Sequence, residues 1–253
     1  MIRLFKKTRQ IFINEGKTSK YFKYAIGEII LVVIGILIAL SINNWNENRK
    51  QKTIEKVYIE NIKTDLELNL KSLQKYIAER NKTVASVEVV LAFFEARKNI
   101  DVNKFNFHCL TVMEWYPFEN SDNTYQELLN SGQLSILSNK IIKDNLQNLQ
   151  NNLNTIRFIE SEMEEDYERY LYDQFFETID LDTSLKNLKS QSSTAIEVPK
   201  LDVIEVNTLL ENRTFKNGFV LAAYNSEDLI KEYKNMTATT EQLILLIDQE
   251  LDK

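Results

Sequence analysis

Glycine and proline are scarce in this sequence, with five Gly and two Pro in 253 residues. Antiparallel sheets need Gly-, Asn- or Asp-type turns between successive strands, whereas long helices need almost none. Gly is absent from Ile36 through Ser131, and only Pro117 interrupts that span. The pattern predicts long helices. Histidine and cysteine occur once each, as His108 and Cys109. A single cysteine excludes an intrachain disulfide and favours a buried thiol over a dimer-linking one. A single histidine leaves a histidine-based metal site or a Cys-His dyad almost nothing to build on, so His108 is expected to be packed or at the surface. The sequence also shows no Gly-rich phosphate loop, no Ser/His/Asp set and no paired metal-ligand motif. No catalytic residue, metal or cofactor is therefore expected, and the chain is read as a non-enzyme.

Charge is unevenly spread. The net charge is −6, yet residues 1–23 carry seven Lys/Arg against Glu15, and 43–253 hold a net −11. An acidic bulk is a poor surface for a phosphate backbone, so no nucleic-acid partner is expected.

One stretch departs from the rest by lacking polar spacing. From Tyr24 through Ile42 the chain is almost continuously apolar, with Glu28 the only charge, and Asn43-Asn44-Trp45 follows. At about 1.5 Å per residue, a helix from Tyr24 to Trp45 would be roughly 33 Å long, close to the hydrocarbon thickness of a bilayer. Tyr21 and Tyr24 stand at one end and Trp45 at the other, as membrane anchors at headgroup level. The sequence therefore predicts a membrane-spanning helix over 19–45, set against the lipid bilayer. By the positive-inside rule the basic N-terminus is cytoplasmic, and the rest is periplasmic. A cleaved signal is the rival, since Ala39-Leu40-Ser41 has small residues at cleavage-site spacing. The long leading segment, Glu28 and Trp45 favour an uncleaved anchor.

Residues 1–18 form a basic segment, and Ile2 to Ile13 reads either as an interfacial amphipathic helix or as a basic tail that sets topology. Within the membrane helix, Glu28, Gly35, Ala39 and Asn46 fall within about 40° of one another on the wheel. Small residues let transmembrane backbones approach, and intramembrane acids usually face protein. The stripe is thus a candidate helix–helix interface, making a homo-oligomer the expected state. The rival for Glu28 is a carboxylate that reaches back to water and to Lys20 or Lys23.

Beyond Trp45, apolar residues from Ile59 to Phe94 recur every three or four positions, with Arg80 the one gap. Their mean period is about 3.5, that of a coiled-coil-like seam. One helix is predicted from about Ser19 to Ala96. Residues 97–122 read as irregular, with a short helix within 103–115. Asp122 is expected to cap a helix that Gly132 ends in the left-handed conformation, and Ser138 or Asn139 to cap another running to about Phe176. Its carboxylates Glu160, Glu162, Glu164, Glu165, Asp166 and Glu168 read as a solvated acidic face. Residues 179–206 read as a polar linker, Asn207 as a short-helix start, and about 214–251 as the final helix. The expected fold is all-α: one N-terminal transmembrane helix continuing into a long stalk helix, and an antiparallel periplasmic helical bundle over 46–253.

Two pieces are more specific than periodicity. Ala25-Ile26-Gly27-Glu28-Ile29 through Gly35-Ile36-Leu37-Ile38-Ala39-Leu40, with Ile42-Asn43-Asn44-Trp45-Asn46-Glu47, resembles the signature of the DUF6090 family, uncharacterised single-pass proteins of Bacteroidota. Thr124-Tyr125-Gln126-Glu127-Leu128 and Ser131-Gly132-Gln133-Leu134 are similar to a second recurring element of that family. The resemblance implies an inner-membrane protein and brings no established activity. The expected role is an oligomerising scaffold, or a partner-binding subunit that engages another envelope protein. The alternative is a periplasmic ligand-sensing helical domain acting through a membrane partner.

Overall fold

The computed structural model describes residues 18–96, 100–190 and 201–252. The candidate amphipathic segment Ile2–Ile13 lies outside them. Among the described residues every regular element is helical and no strand occurs, as the shortage of turn formers predicts. The chain divides into two units, Met1–Val57 and Tyr58–Lys253.

Helix α1, Thr18–Ala96, runs unbroken for 79 residues. Nothing in it stops a helix: after Gly35 it contains neither Gly nor Pro. In the first unit its apolar stretch is exposed on every side; in the second its seam is buried in part, with Leu70, Ile77, Val84 and Leu91 only half-buried. Ile59, Ile62, Leu66, Leu73, Val87, Val90 and Phe94 are all core residues, and the expected spacing is the reason.

The remaining helices are set by their caps. Helix α2, Val102–Met113, begins where Asp101 accepts from the N–H groups of Asn103 and Lys104 at 3.1 Å each. Helix α3, Asn123–Asn130, starts after Asp122, but Asp122 makes no capping bond with its side chain. Instead Asp65 of α1 accepts from the Thr124 N–H at 3.1 Å. At its end, Gly132 takes φ 69°, with bonds from Gly132 N–H to the Leu129 carbonyl and from Gln133 N–H to the Leu128 carbonyl. Those two bonds make a Schellman stop, which needs a residue free to adopt positive φ. Helix α4, Lys140–Tyr167, is capped by Asn139.

After α4 the backbone widens into a π-turn, Glu168–Tyr172, and resumes as α5, Asp173–Thr178. The expected linker 179–206 is wrong where it is described. Helix α6, Leu181–Ser190, and helix α7, Val203–Glu211, occupy its two ends, and α7 starts behind Asp202, not at Asn207. Polarity misled here because the two buried positions of α6, Ser184 and Asn187, are polar and are held by hydrogen bonds. Asn106 of α2 donates to the Ser184 carbonyl at 3.0 Å and accepts from its hydroxyl at 2.6 Å, and Asn187 donates to Asn103. Helix α8, Arg213–Leu251, capped by Asn212, completes the chain.

In the second unit α1, α4 and α8 share one core. Lys63 meets Asp248 at 2.6 Å, the Tyr76 ring meets Tyr233, and Phe94 meets Phe215 and Phe219. From α4, Glu160 meets Tyr233, Asp166 meets Asn225, and Asn139 meets Glu250.

Candidate functional site

The four residues expected at a membrane-helix interface, Glu28, Gly35, Ala39 and Asn46, all lie on the helical backbone of α1 in the first unit. Gly35 and Ala39 are exposed, Glu28 and Asn46 half-exposed, and a Cβ built on Gly35 would meet nothing within 4 Å. Trp45 is 63% exposed, with the Arg49 guanidinium 5.3 Å from its ring centre. The side chains of Tyr21 and Tyr24 fall outside the described part. The apolar stretch of α1 is long enough to cross a membrane, and none of its most apolar window is buried.

The second unit holds a site the sequence reading passed over. It is built around the irregular segment 114–122, between α2 and α3. An irregular segment leaves backbone N–H and C=O groups without partners, and side chains must supply them. Asn69 does so twice for Ser121, donating to its carbonyl at 2.8 Å and accepting from its N–H at 2.7 Å. The Tyr76 hydroxyl donates to the Pro117 carbonyl at 2.7 Å, and the Tyr172 hydroxyl to that of Met113 at 2.9 Å. Glu160 accepts from the Phe118 N–H at 2.7 Å and from the Tyr233 hydroxyl at 3.1 Å through one oxygen, Oε1.

Glu160 corrects the expected solvated acidic face: it is 5% exposed. Its position explains this, four residues after Ile156 and three before Met163, both core residues. Burial pushes its carboxyl up from the ordinary range, against the Phe118 N–H, the Tyr233 hydroxyl and the charge of Arg80. Burial also pushes the Tyr233 and Tyr167 phenols up. Asp166 is half-buried and accepts from Asn225, while Glu162, Glu164, Glu165 and Glu168 are exposed as expected.

Arg80 is the gap in the α1 seam, and it is a poorly satisfied charge in the core. It is only 3% exposed. Its Nη1 faces the Met163 sulfur at 3.6 Å, its Nη2 reaches the Tyr116 carbonyl at 3.4 Å, and its Nε has no partner. Trp115 lies over it, with the guanidinium carbon 5.9 Å from the ring centre. Among the described residues no carboxylate is within ion-pair distance of it. A cavity of about 400 Å³ opens beside Arg80, walled by Tyr76, Thr83, Thr111, Trp115 and Tyr116. A second, of about 420 Å³, also borders Trp115 and is lined by Arg157, Glu160, Glu164 and Glu168. The signal for Arg80 was present in the sequence, since a charge in a core stripe needs a partner.

The lone histidine and cysteine are placed as packing residues. His108 Nδ1 is 3.2 Å from the Ser86 hydroxyl, and partial burial lowers its pKa, helped by Lys104. Cys109 is fully buried, and burial raises its thiol well above the usual range. Among the described residues no cluster of His, Cys, Asp and Glu could hold a metal ion.

A family model matches residues 28–225, a span that takes in both the apolar stretch and the Arg80 site. The chain belongs to DUF6090, a family of unknown function. No curated protein and no solved structure matches it.

Proposed function

We propose that this DUF6090 protein is a single-pass inner-membrane protein of a Gram-negative envelope, anchored by α1, with a non-enzymatic helical domain held in the periplasm. The observation that carries the proposal is the unburied apolar stretch of α1. A buried core helix hides its apolar residues inside protein; here every one from Ile26 to Ile42 is left for another solvent. The basic N-terminal flank orients it, leaving residues after Trp45 outside. The residue pairs between α1, α4 and α8 run in opposite number order along α8, which supports an antiparallel bundle. The domain serves as an oligomerising scaffold that binds another envelope protein, with Glu28, Gly35, Ala39 and Asn46 at the contact between copies.

Protease added to intact spheroplasts tests the orientation. The large domain should be digested while a short N-terminal tag survives. Protection of the domain until lysis would overturn the topology.

A second role is ligand sensing through a membrane partner, and the open cavity beside Arg80 favours it. Native mass spectrometry of gently solubilised protein should then find a small molecule carried in stoichiometric amount.

A further inference from the structure

A buried guanidinium with poor partners is an expensive arrangement. It has five N–H donors in a planar fork, and transferring such a charge from water costs several kcal/mol unless hydrogen bonds and a counter-charge replace the water. Arg80 is 3% exposed, yet it has a thioether, one long bond to a carbonyl, and an Nε with no partner. Glu160 feels the charge of Arg80 but lies beyond ion-pair distance of it, so the guanidinium N–H groups gain no carboxylate partner there. Arg80 nevertheless lines a cavity of about 400 Å³, within the usual range for small-molecule sites.

The walls narrow the ligand class. Tyr76 and Trp115 are half-buried rings, and Tyr116 is an exposed one, giving a mixed lining with aromatic faces. Thr83 and Thr111 donate their hydroxyls to their own helices, to the Glu79 and Phe107 carbonyls. The rim carries Lys75 and Lys82 against Glu79, Glu114 and Glu119, all exposed. Those five charges nearly cancel and sit in water, where they are screened. Arg80 is the one cavity charge withdrawn from water. A planar anion matches its fork through paired hydrogen bonds.

We propose that this cleft binds a small organic carboxylate, its carboxylate gripped by the Arg80 guanidinium and its body held against Tyr76 and Trp115. The proposal rests on the sensing role and names its ligand class. It is independent of membrane topology.

The test uses the full chain in detergent with Trp45→Phe, which leaves Trp115 as its only tryptophan. Benzoate should change Trp115 fluorescence saturably in the millimolar range. Benzamide, with the same shape and no charge, should bind at least about tenfold more weakly, as should benzoate to Arg80→Lys, which keeps the charge and loses the fork. Circular dichroism checks that Arg80→Lys retains its helices. If that variant does not fold, the benzoate–benzamide comparison on the parent still decides. No saturable response, an equal response to benzamide, or inorganic phosphate binding more tightly than benzoate would each overturn the proposal. A neutral molecule found by native mass spectrometry, with no benzoate binding, would overturn the carboxylate class and leave sensing standing.

Discussion

Helix α1 carries two apolar stretches that differ in one respect only: whether polar residues interrupt them on a period. From Ile59 to Phe94 charged residues alternate with the apolar seam, whose core members Ile59, Ile62, Leu66, Leu73, Val87 and Phe94 are at most 4% exposed. From Ile29 to Ile42 there is no such alternation, and the large apolar side chains are 47–63% exposed. A period of about 3.5 marks one buried face and one wet face. Apolarity on all faces marks a helix whose surroundings are themselves apolar, as in a bilayer. One continuous helix therefore carries two apolar patterns, and the spacing of its polar residues says where one gives way to the other.

The largest break in that comparison comes from trimming one leucine on each side. Leu73→Ala should cost the domain about 2–5 kcal/mol, because Leu73 is fully buried and its removal leaves a cavity. Leu31→Ala should leave domain unfolding unchanged within about 0.5 kcal/mol. Thermal or denaturant unfolding of the full chain in detergent measures both. Equal losses would mean that the apolar stretch is packed in the same way as the seam.

Two glycines give a second contrast. A Cβ on Gly218 of α8 would stand 2.6 Å from Leu171 Cδ2 and 2.9 Å from its Cγ. Leu171 is itself fully buried in the π-turn, so its side chain would have to shift within packed surroundings. Gly218→Ala should therefore destabilise the domain by about 1–3 kcal/mol. Gly35→Ala, with nothing within 4 Å, should not. The same unfolding assay separates them, and a neutral Gly218→Ala would show that the π-turn yields easily.

These contrasts also show what could be read from residues alone. The span of α1, its seam, the Gly132 stop and the Asn139 cap follow from local rules, because period, positive φ and capping act within a few residues. DUF6090 membership was legible too, in the Ala25–Glu47 stretch. What stayed hidden depends on contacts distant in sequence. The capping of α3 by Asp65 joins residues 59 apart. Helix α6 looked like linker because its buried Asn and Ser are partnered only when α2 is beside them. The π-turn has no local composition to mark it. Arg80 and Glu160 lay in view as a charge in one seam and an acid at a seam position in another. Each was set aside because its partner, the backbone of 114–122, has no sequence signature.

A smaller effect follows from Glu160, whose counterpart is any exposed carboxylate of the same helix. Burial raises its folded-state pKa above the unfolded value. The folded state thus holds a proton where the unfolded state has lost it. Stability contributed by Glu160 is fully present below the unfolded pKa and is lost as pH rises through the raised folded one. Wild type should gain stability relative to Glu160→Gln as pH falls from neutral towards about 4.3, then level off. Unfolding midpoints of the two proteins across that range check it, and parallel curves for wild type and Glu160→Gln would remove the burial argument.

The last contrast sits within the apolar stretch itself, between its small-residue face and the face behind it. Lipid tails are as apolar as Leu, so packing Leu or Ile between membrane helices gains little over leaving them in lipid. In the proposed contact, close backbone approach at Gly35 and Ala39 would gain more, and a polar contact from Glu28 would add about 0.6–2 kcal/mol. A leucine placed on that face props the backbones apart, so Gly35→Leu or Ala39→Leu should weaken self-association. Val33→Leu should not, because Val33 lies roughly 140° from Glu28 and roughly 160° from Gly35 around the helix. Chemical cross-linking in native membranes, with the variants matched for expression, gives the ranking. A monomeric wild type, or equal association of all three variants, would leave Glu28 as a carboxylate reaching for the interface and the stripe as a lipid-facing coincidence. Loss of the oligomer in the Gly35 and Ala39 variants alone would show that one face of this helix is addressed to protein and the others to lipid.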